Sequence, residues 1–343
     1  MRNTIKNHFP LLMVFFFLMG SCKTDYKEMH ELLLKGNDYY RAGDLQRAKS
    51  FFEEALLFDS CFSDAYNNLG IISFDRNELE KAEEYYLSAN RCDASFLPAY
   101  FNRFNLYYET HQYYSAVVEM ERVQKWVQDS SIVYSNLGLV YTRLREYDSA
   151  LNAFNKALEL DTSQYDMYIN RATVYYYKND LNRARKDFMQ LISEPEFTAE
   201  AYNGLSMVAV LQEQYDSAMV YIDKAINLNP KEGYYINNKG YVYLQTDSLA
   251  QALEWINKGI AMDPGNSWSY RNKGIYHLKT SNYKDAERLL LQALRMDPFT
   301  ENINWYLSVL YKHMGNMEES CTYLNKSKKA HEYLSRQEEC NRP

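Results

Sequence analysis

Residues 134–160 read YSNLGLVYTRLREYDSALNAFNKALEL and hold one copy of a pattern that recurs along the chain. The pattern has a small residue at Gly138, an alanine at Ala150 and a bulky apolar residue at Phe154. The first position recurs every 34 residues and is occupied by Gly36, Gly70, Phe104, Gly138, Ala172, Ser206, Gly240, Gly274 and Ser308. A fixed period of this length indicates a stack of identical supersecondary units.

Each unit is predicted to consist of two antiparallel helices, which we call helix A and helix B. Small side chains at Gly138 and Ala150 let the two helices approach closely, and Phe154 fills the space beside them. Because proline cannot continue a helix, turns after helix B are predicted at Asn229-Pro230, Asp263-Pro264 and Asp297-Pro298. One such hairpin cannot bury its apolar face alone, whereas nine stacked copies form one continuous core.

The repeated blocks resemble those of the tetratricopeptide repeat family. Tyr66–Gly70 (YNNLG) and Tyr134–Gly138 (YSNLG) are similar to the family's helix A signature, and Ala150–Leu158 (ALNAFNKAL) is similar to its helix B. The resemblance implies an all-α, right-handed superhelix whose concave groove is lined by the A helices and receives peptides or protein segments. We expect nine repeats, at 29–62, 63–96, 97–130, 131–164, 165–198, 199–232, 233–266, 267–300 and 301–334, followed by a polar tail at 335–343.

The first 21 residues are predicted to be a leader rather than part of the fold. Arg2 and Lys6 precede an apolar run at 11–19 that is too short to span a bilayer. The run ends in Met19-Gly20-Ser21-Cys22, which resembles the lipobox of bacterial lipoproteins. That resemblance implies lipidation of Cys22, a short tether at 22–28 and stable membrane anchoring by several acyl chains.

Residues next to Cys22 indicate which membrane carries the protein and which side of it the protein faces. Lys23, which follows the cysteine, favours the outer membrane, and the single acid at Asp25 favours its periplasmic side over the cell surface. The Phe-rich leader and the Tyr- and Asn-rich body resemble chains of Bacteroidetes.

Three repeats depart from the pattern. The third carries Phe104 at the small position and Val123 where other repeats have alanine, which predicts a wider or re-angled hairpin. The fifth has an early proline at Pro195, which predicts a shorter helix B. The ninth has Ser320 and Ser327 in place of alanines, as suits a terminal repeat.

No residue pattern indicates catalysis or a cofactor. The net charge is −7 and no basic stripe is present, so nucleic acid is not an expected partner. The six histidines show no metal-ligand spacing, and the sequence has no phosphate-binding glycine loop and no nucleophile elbow. We therefore expect a protein that is not an enzyme, with no catalytic residues, metal or cofactor.

One polar position on helix A recurs without a packing reason, two residues before the small position: Asn68, Asn102, Asn136, Asn170, Asn238 and Asn272. By the resemblance it faces the groove, where carboxamides can bond the backbone of an extended peptide. The alternative is that each Asn bonds a neighbouring A helix and only stiffens the stack. Aromatic residues beside them complete the candidate groove: Tyr40, Phe74, Tyr108 and Tyr176.

The other four cysteines are predicted to form two local disulfides, Cys61–Cys92 and Cys321–Cys340. An envelope compartment is oxidising, the count is even, and each pair lies within about one repeat of chain. The alternative is four idle or buried thiols.

Taken together, these features favour a non-catalytic, membrane-anchored scaffold that docks extended protein segments in its groove. The alternative is a lipoprotein of a nutrient-uptake system that binds a glycan or glycopeptide, because aromatic rings also stack on sugars.

Overall fold

The computed structural model describes the backbone of residues 11–337 and 340, and the side chains of residues 26–337 and 340. Within this part of the chain the fold is all-α, with eighteen α-helices packed in consecutive pairs, which confirms the predicted nine-repeat architecture. The chain divides into two compact units, Met1–Asp129 and Ser130–Pro343, which are described separately below.

The first unit contains repeats one to three. Its helices are α1 (Leu11–Arg41), α2 (Leu45–Phe58), α3 (Ser63–Asp75), α4 (Leu79–Cys92), α5 (Leu97–Glu109) and α6 (Tyr113–Gln124). Odd-numbered helices are the A helices and even-numbered helices are the B helices.

The second unit contains repeats four to nine and a short terminal 3₁₀ turn. Its helices are α7 (Ser131–Arg143), α8 (Tyr147–Leu160), α9 (Tyr165–Tyr177), α10 (Leu181–Gln190), α11 (Thr198–Leu211), α12 (Tyr215–Leu228), α13 (Gly233–Gln245), α14 (Leu249–Met262), α15 (Ser267–Lys279), α16 (Tyr283–Met296), α17 (Ile303–His313) and α18 (Met317–Lys329), with the 3₁₀ turn at Leu334–Gln337.

Helix α1 starts before the first predicted repeat. It runs without a break from Leu11 to Arg41, so the predicted tether at 22–28 is helical and continuous with the first helix A. Residues 1–10 of the predicted leader and the side chain of Cys22 lie outside the described part of the structure. Among the residues that the structure describes, no helix combines the length and the apolar character needed to cross a membrane.

The small and bulky positions meet as predicted in the five hairpins that have glycine at the small position. A Cβ placed on Gly70 would lie 2.4 Å from the Tyr86 ring, and one placed on Gly138 would lie 2.4 Å from the Phe154 ring. Ala150 is fully buried beside them. The absence of a side chain at the small position therefore sets how closely helix A approaches helix B.

The fifth repeat has the predicted short helix B. Helix α10 spans 10 residues, whereas its counterparts α8 and α12 span 14 each. The chain leaves the helix at Leu191, which is fully buried, and Pro195 follows four residues later. The missing turn of helix follows from proline's inability to donate a backbone hydrogen bond.

The turn from helix A to helix B was not predicted from the sequence, although it also repeats every 34 residues. One residue in each of these turns has a positive φ: Gly43, Asn77, His111, Arg145, Asn179, Glu213, Asp247, Ser281 and Gly315. The next residue donates its N–H to a carbonyl five residues back, as Gln214 does to Ala209 at 2.9 Å. This is the Schellman arrangement that ends helices, and only two of the nine positions carry the glycine that signals it.

Candidate functional site

The asparagines of the A helices bond mainly to one another. The amide nitrogens of Asn68 and Asn102 donate to the side-chain oxygens of Asn37 and Asn67, at 2.9 and 2.7 Å. Asn238 and Asn272 donate in the same way to Asn203 and Asn237, at 2.8 and 3.1 Å. In each case the acceptor lies on the preceding A helix. Four of the six predicted residues thus hold neighbouring repeats together.

Burial of the Asn residues differs along the chain. Asn238 and Asn272 are buried, whereas Asn68, Asn102, Asn136 and Asn170 are half-buried. The acceptors Asn37 and Asn67 belong to the first unit, and Asn203 and Asn237 belong to the second. The inter-helix alternative therefore describes the hydrogen bonds of these residues in both units.

Asn272 is the most connected of these residues, and its loss is expected to destabilise the second unit. Its oxygen accepts from Nε and Nη2 of Arg271, at 3.1 and 3.0 Å, while its nitrogen bonds Asn237. Changing Asn272 to Ala leaves these buried groups unpaired, so we expect a loss of about 1–3 kcal/mol in the free energy of unfolding. Chemical denaturation measures it.

The matched control is Asn170→Ala, at the equivalent half-buried position of the fifth repeat. It is expected to change the free energy of unfolding by less than about 1 kcal/mol, because alanine is the better helix former. Equal losses in the two variants would contradict the assignment of Asn272 to the inter-helix network.

The predicted aromatic positions are not equivalent in the structure. In the first unit, the Tyr40 hydroxyl donates to Asp75 Oδ2 at 2.7 Å. Burial and this carboxylate raise the pKa of Tyr40 to about 12. Tyr108 packs against Phe104 and Tyr113, with ring centroids 5.9 and 5.7 Å away, and Phe74 is half-buried. The Tyr40 bond thus joins α1 to α3, and the Tyr108–Tyr113 contact joins α5 to α6.

Tyr176 lies in the second unit, where it lines a cavity of about 90 Å³. The cavity walls come largely from the A helices α9, α11, α13 and α15, and from Glu301 just before α17. Asn238, another predicted site residue, also lines it. The volume accommodates several water molecules, and hence the end of one side chain. We call this space the A-helix cavity.

Aromatic rings form two perpendicular corners of the A-helix cavity. Tyr234 and Trp268 have ring centroids 6.1 Å apart and planes at 70°, and Tyr176 and Tyr177 have centroids 5.8 Å apart and planes at 63°. Burial raises the pKa of each of these tyrosines above its ordinary value, so all three stay uncharged at neutral pH.

Of the three charged residues that line the cavity, Arg271 and Glu301 pair with each other, and Glu200 has no hydrogen-bond donor among the described residues. Arg271 is buried, donates to the Glu301 backbone carbonyl at 2.8 Å and lies 3.6 Å from the Glu301 carboxylate. Glu200 is exposed to the cavity, and no described residue donates a hydrogen bond to its carboxylate. Two effects raise the pKa of Glu200: first the loss of water to the surrounding atoms, and second the negative charge of the Glu232 carboxylate.

Within the second unit, residues of repeats that are distant in sequence contact one another. Arg145, in the turn of the fourth repeat, donates to the backbone carbonyls of Phe299 and Ala330, and the Phe299 bond is 3.1 Å long. The Arg145 guanidinium also lies 5.9 Å from the centroid of the Phe299 ring. The Tyr241 and Tyr306 hydroxyls meet at 3.4 Å. The fourth repeat therefore contacts the eighth and ninth repeats, and the seventh contacts the ninth.

The structure joins both predicted cysteine pairs. Cys61 and Cys92 are bonded, with Cα atoms 5.1 Å apart, and the bond links the turn after α2 to the last residue of α4. Cys321 and Cys340 are bonded, with Cα atoms 5.7 Å apart, and this bond fastens the chain end to α18. Both Cα distances lie within the range that disulfides allow.

Most residues that line the cavity were not predicted from the sequence, and three of them share one repeat position. Glu200, Tyr234 and Trp268 occupy one position in three successive repeats, six residues before the small position. A large or charged residue there in consecutive repeats is the signal that could have found them. Among the described residues no group of three or more His, Cys, Asp and Glu could hold a metal ion.

The fold and the cavity define a helical repeat scaffold of the protein-interaction type. Family models described as tetratricopeptide repeat match residues 33–95, 131–163, 165–196, 199–232, 234–266 and 271–333. These ranges span most of the chain, and the chain belongs to the tetratricopeptide repeat family. Repeats of this family are typically non-catalytic.

Individual relatives are distant. A TPR repeat-containing protein of Methanocaldococcus jannaschii is 21% identical over 265 residues, covering 69% of this chain and 46% of that protein. The first curated relatives that the chain matches are all covered to less than half of their length.

Two solved structures resemble the fold. PilF of Pseudomonas aeruginosa aligns with a TM-score of 0.53 at 22% identity, covering 60% of this chain and 94% of that one. A tetratricopeptide repeat protein of Parabacteroides merdae aligns over 83% of this chain and 99% of that one, at 20% identity and a TM-score of 0.48.

Proposed function

We propose that this protein is a membrane-anchored scaffold that binds extended polypeptide segments of its partners through the A-helix cavity. The observation that carries the proposal is the cavity itself. It combines two aromatic corners with amide and carboxylate groups on A helices of successive repeats. Small apolar-walled sites with a few placed polar groups are the usual form of a specific binding site.

The proposed anchor is a lipid on Cys22. The lipobox-like segment Met19–Cys22, which follows a short apolar run, supports it. We place the protein on the periplasmic face of a bacterial outer membrane. The two disulfides fit an oxidising envelope.

Replacing Cys22 with Ala tests the anchor. The variant is expected to lose membrane association almost completely, since one residue carries all of the acyl chains. Fractionation of cells followed by immunoblotting measures the shift, and mass spectrometry of the wild type checks for a lipid adduct. Ser60→Ala, at an exposed residue distant from the lipobox, is the control and stays in the membrane fraction. Retention of the Cys22 variant, with an unlipidated wild type, would overturn the anchor.

Selection of random heptapeptides displayed on phage tests the binding site. The full chain, purified in detergent, is expected to enrich peptides that bind the wild type and bind Trp268→Ala at least about tenfold more weakly, because one aromatic wall is lost. Thermal melting checks that the variant folds. Enrichment of no peptide, together with binding to glycans on an array, would overturn the proposal in favour of a glycan-binding protein.

A further inference from the structure

The A-helix cavity has the composition of a site for a cation. Five aromatic rings line it, four of them in two T-shaped pairs, and two carboxylates, Glu200 and Glu301, accompany a single basic residue, Arg271. The faces of Tyr and Trp rings carry negative electrostatic potential and attract ammonium and guanidinium groups. An uncharged or anionic ligand gains nothing from this arrangement of charges.

The one basic residue of the cavity is already occupied. Arg271 donates through Nε and Nη2 to Asn272 and through Nη1 to Glu301, and it stacks on Tyr241 with its guanidinium carbon 5.2 Å from the ring centroid. A partner carboxylate or phosphate would have to displace these bonds. The positive charge of the Arg271 guanidinium is therefore paired with the negative charge of Glu301, and its donors are not available to an anionic ligand.

Glu200 is the group that lacks a partner. It lines the cavity, accepts no hydrogen bond from a described residue and has the Glu232 carboxylate close enough to repel it. A carboxylate in such surroundings is stabilised by an opposite charge brought by a ligand. Glu200 also shares its repeat position with Tyr234 and Trp268, so the carboxylate and one aromatic corner lie on the same turn of three successive A helices.

We propose that the A-helix cavity binds a lysine or arginine side chain of the docked segment, with Tyr234 and Trp268 as the aromatic wall and Glu200 as the counter-charge. This inference rests on the proposed function and names the chemistry of its ligand. The cavity accepts the end of a long cationic side chain, while the rest of the segment lies outside it. The recognised class is thus a basic residue within an extended polypeptide.

A positional-scanning library of nine-residue peptides tests the inference. The central position is fixed in turn as Lys, Arg, acetyl-lysine, Met, Gln or Glu, and the flanking positions are randomised. The Lys and Arg pools are expected to bind the full-length protein at least about tenfold more tightly than the others. Acetyl-lysine keeps the stem of lysine and loses its charge, so its pool is the critical comparison.

Two variants assign the effect to the cavity. Glu200→Gln, nearly isosteric, is expected to reduce the preference for Lys over acetyl-lysine by about tenfold. Glu254→Gln removes an exposed carboxylate of helix α14 and leaves the preference unchanged.

The outcomes separate the two proposals. If pools bind without preference for Lys and Arg, the cation site is wrong and the peptide-binding function stands. A preference that Glu200→Gln leaves intact also overturns the cation site. If no pool binds, both proposals are overturned.

Discussion

Replacing Glu119 with Ala is expected to lower the free energy of unfolding by about 3–5 kcal/mol. Glu119 and Arg103 form an ion pair in the third repeat, and their side chains are only 3% and 2% exposed. Burial raises the pKa of Glu119 despite its two arginine neighbours, Arg103 and Arg122. Removing the carboxylate leaves the Arg103 guanidinium buried without a counter-charge. Urea denaturation followed by circular dichroism measures the loss.

Two further variants isolate the cause. Arg103→Met combined with Glu119→Leu replaces the pair with apolar side chains and is expected to restore wild-type stability or exceed it. Arg122→Ala removes the second, half-exposed partner of Glu119 and costs less than about 1 kcal/mol. A double variant as unstable as Glu119→Ala would show that packing of the long side chains, rather than charge, is responsible.

Changing Cys61 and Cys92 together to Ser is expected to cost about 3 kcal/mol in the free energy of unfolding. The bond closes a separation of 31 residues, and the cross-link limits the unfolded chain by an amount that depends on this length. The first unit has only three repeats, so this loss is a large part of its free energy of unfolding. Denaturation of oxidised protein measures it.

Reduced wild-type protein is the control for the disulfide. It is expected to match the double variant of Cys61 and Cys92 in the first unit, because both lack the cross-link. In free-thiol labelling of denatured, oxidised protein, neither Cys61 nor Cys92 should react. Labelling of both would refute the pairing, as would equal stability of oxidised wild type and variant.

The sequence predicts the repeat architecture well because the decisive contacts are local. Gly138, Ala150 and Phe154 lie within one hairpin, so their spacing alone indicates the packing that the structure shows. The short α10 follows from Pro195 in the same way. The turns from helix A to helix B were not predicted, because residues such as Glu213 and Arg145 adopt a positive φ without the glycine that usually signals it.

The candidate site is less predictable because it depends on contacts between distant repeats. Arg145 meets Phe299 across 154 residues of sequence, and the residues that line the A-helix cavity come from several successive repeats. The spacing of the pattern does not give the relative placement of these repeats. The Asn residues illustrate the same limit. Their recurrence is visible in the sequence, but the spacing does not distinguish bonding to a peptide from bonding to Asn203 or Asn237 on a neighbouring helix.

Photo-crosslinking from inside the A-helix cavity tests the central claim, that partners are bound there. Benzoylphenylalanine is placed at Met207, which lines the cavity, or at Val220, which is 54% exposed on helix α12, and intact cells are irradiated. The account predicts polypeptide adducts at Met207 and none at Val220, with mass spectrometry locating the joined segment in an extended part of the partner. Adducts at Val220 alone, or equal yields at both positions, would contradict it.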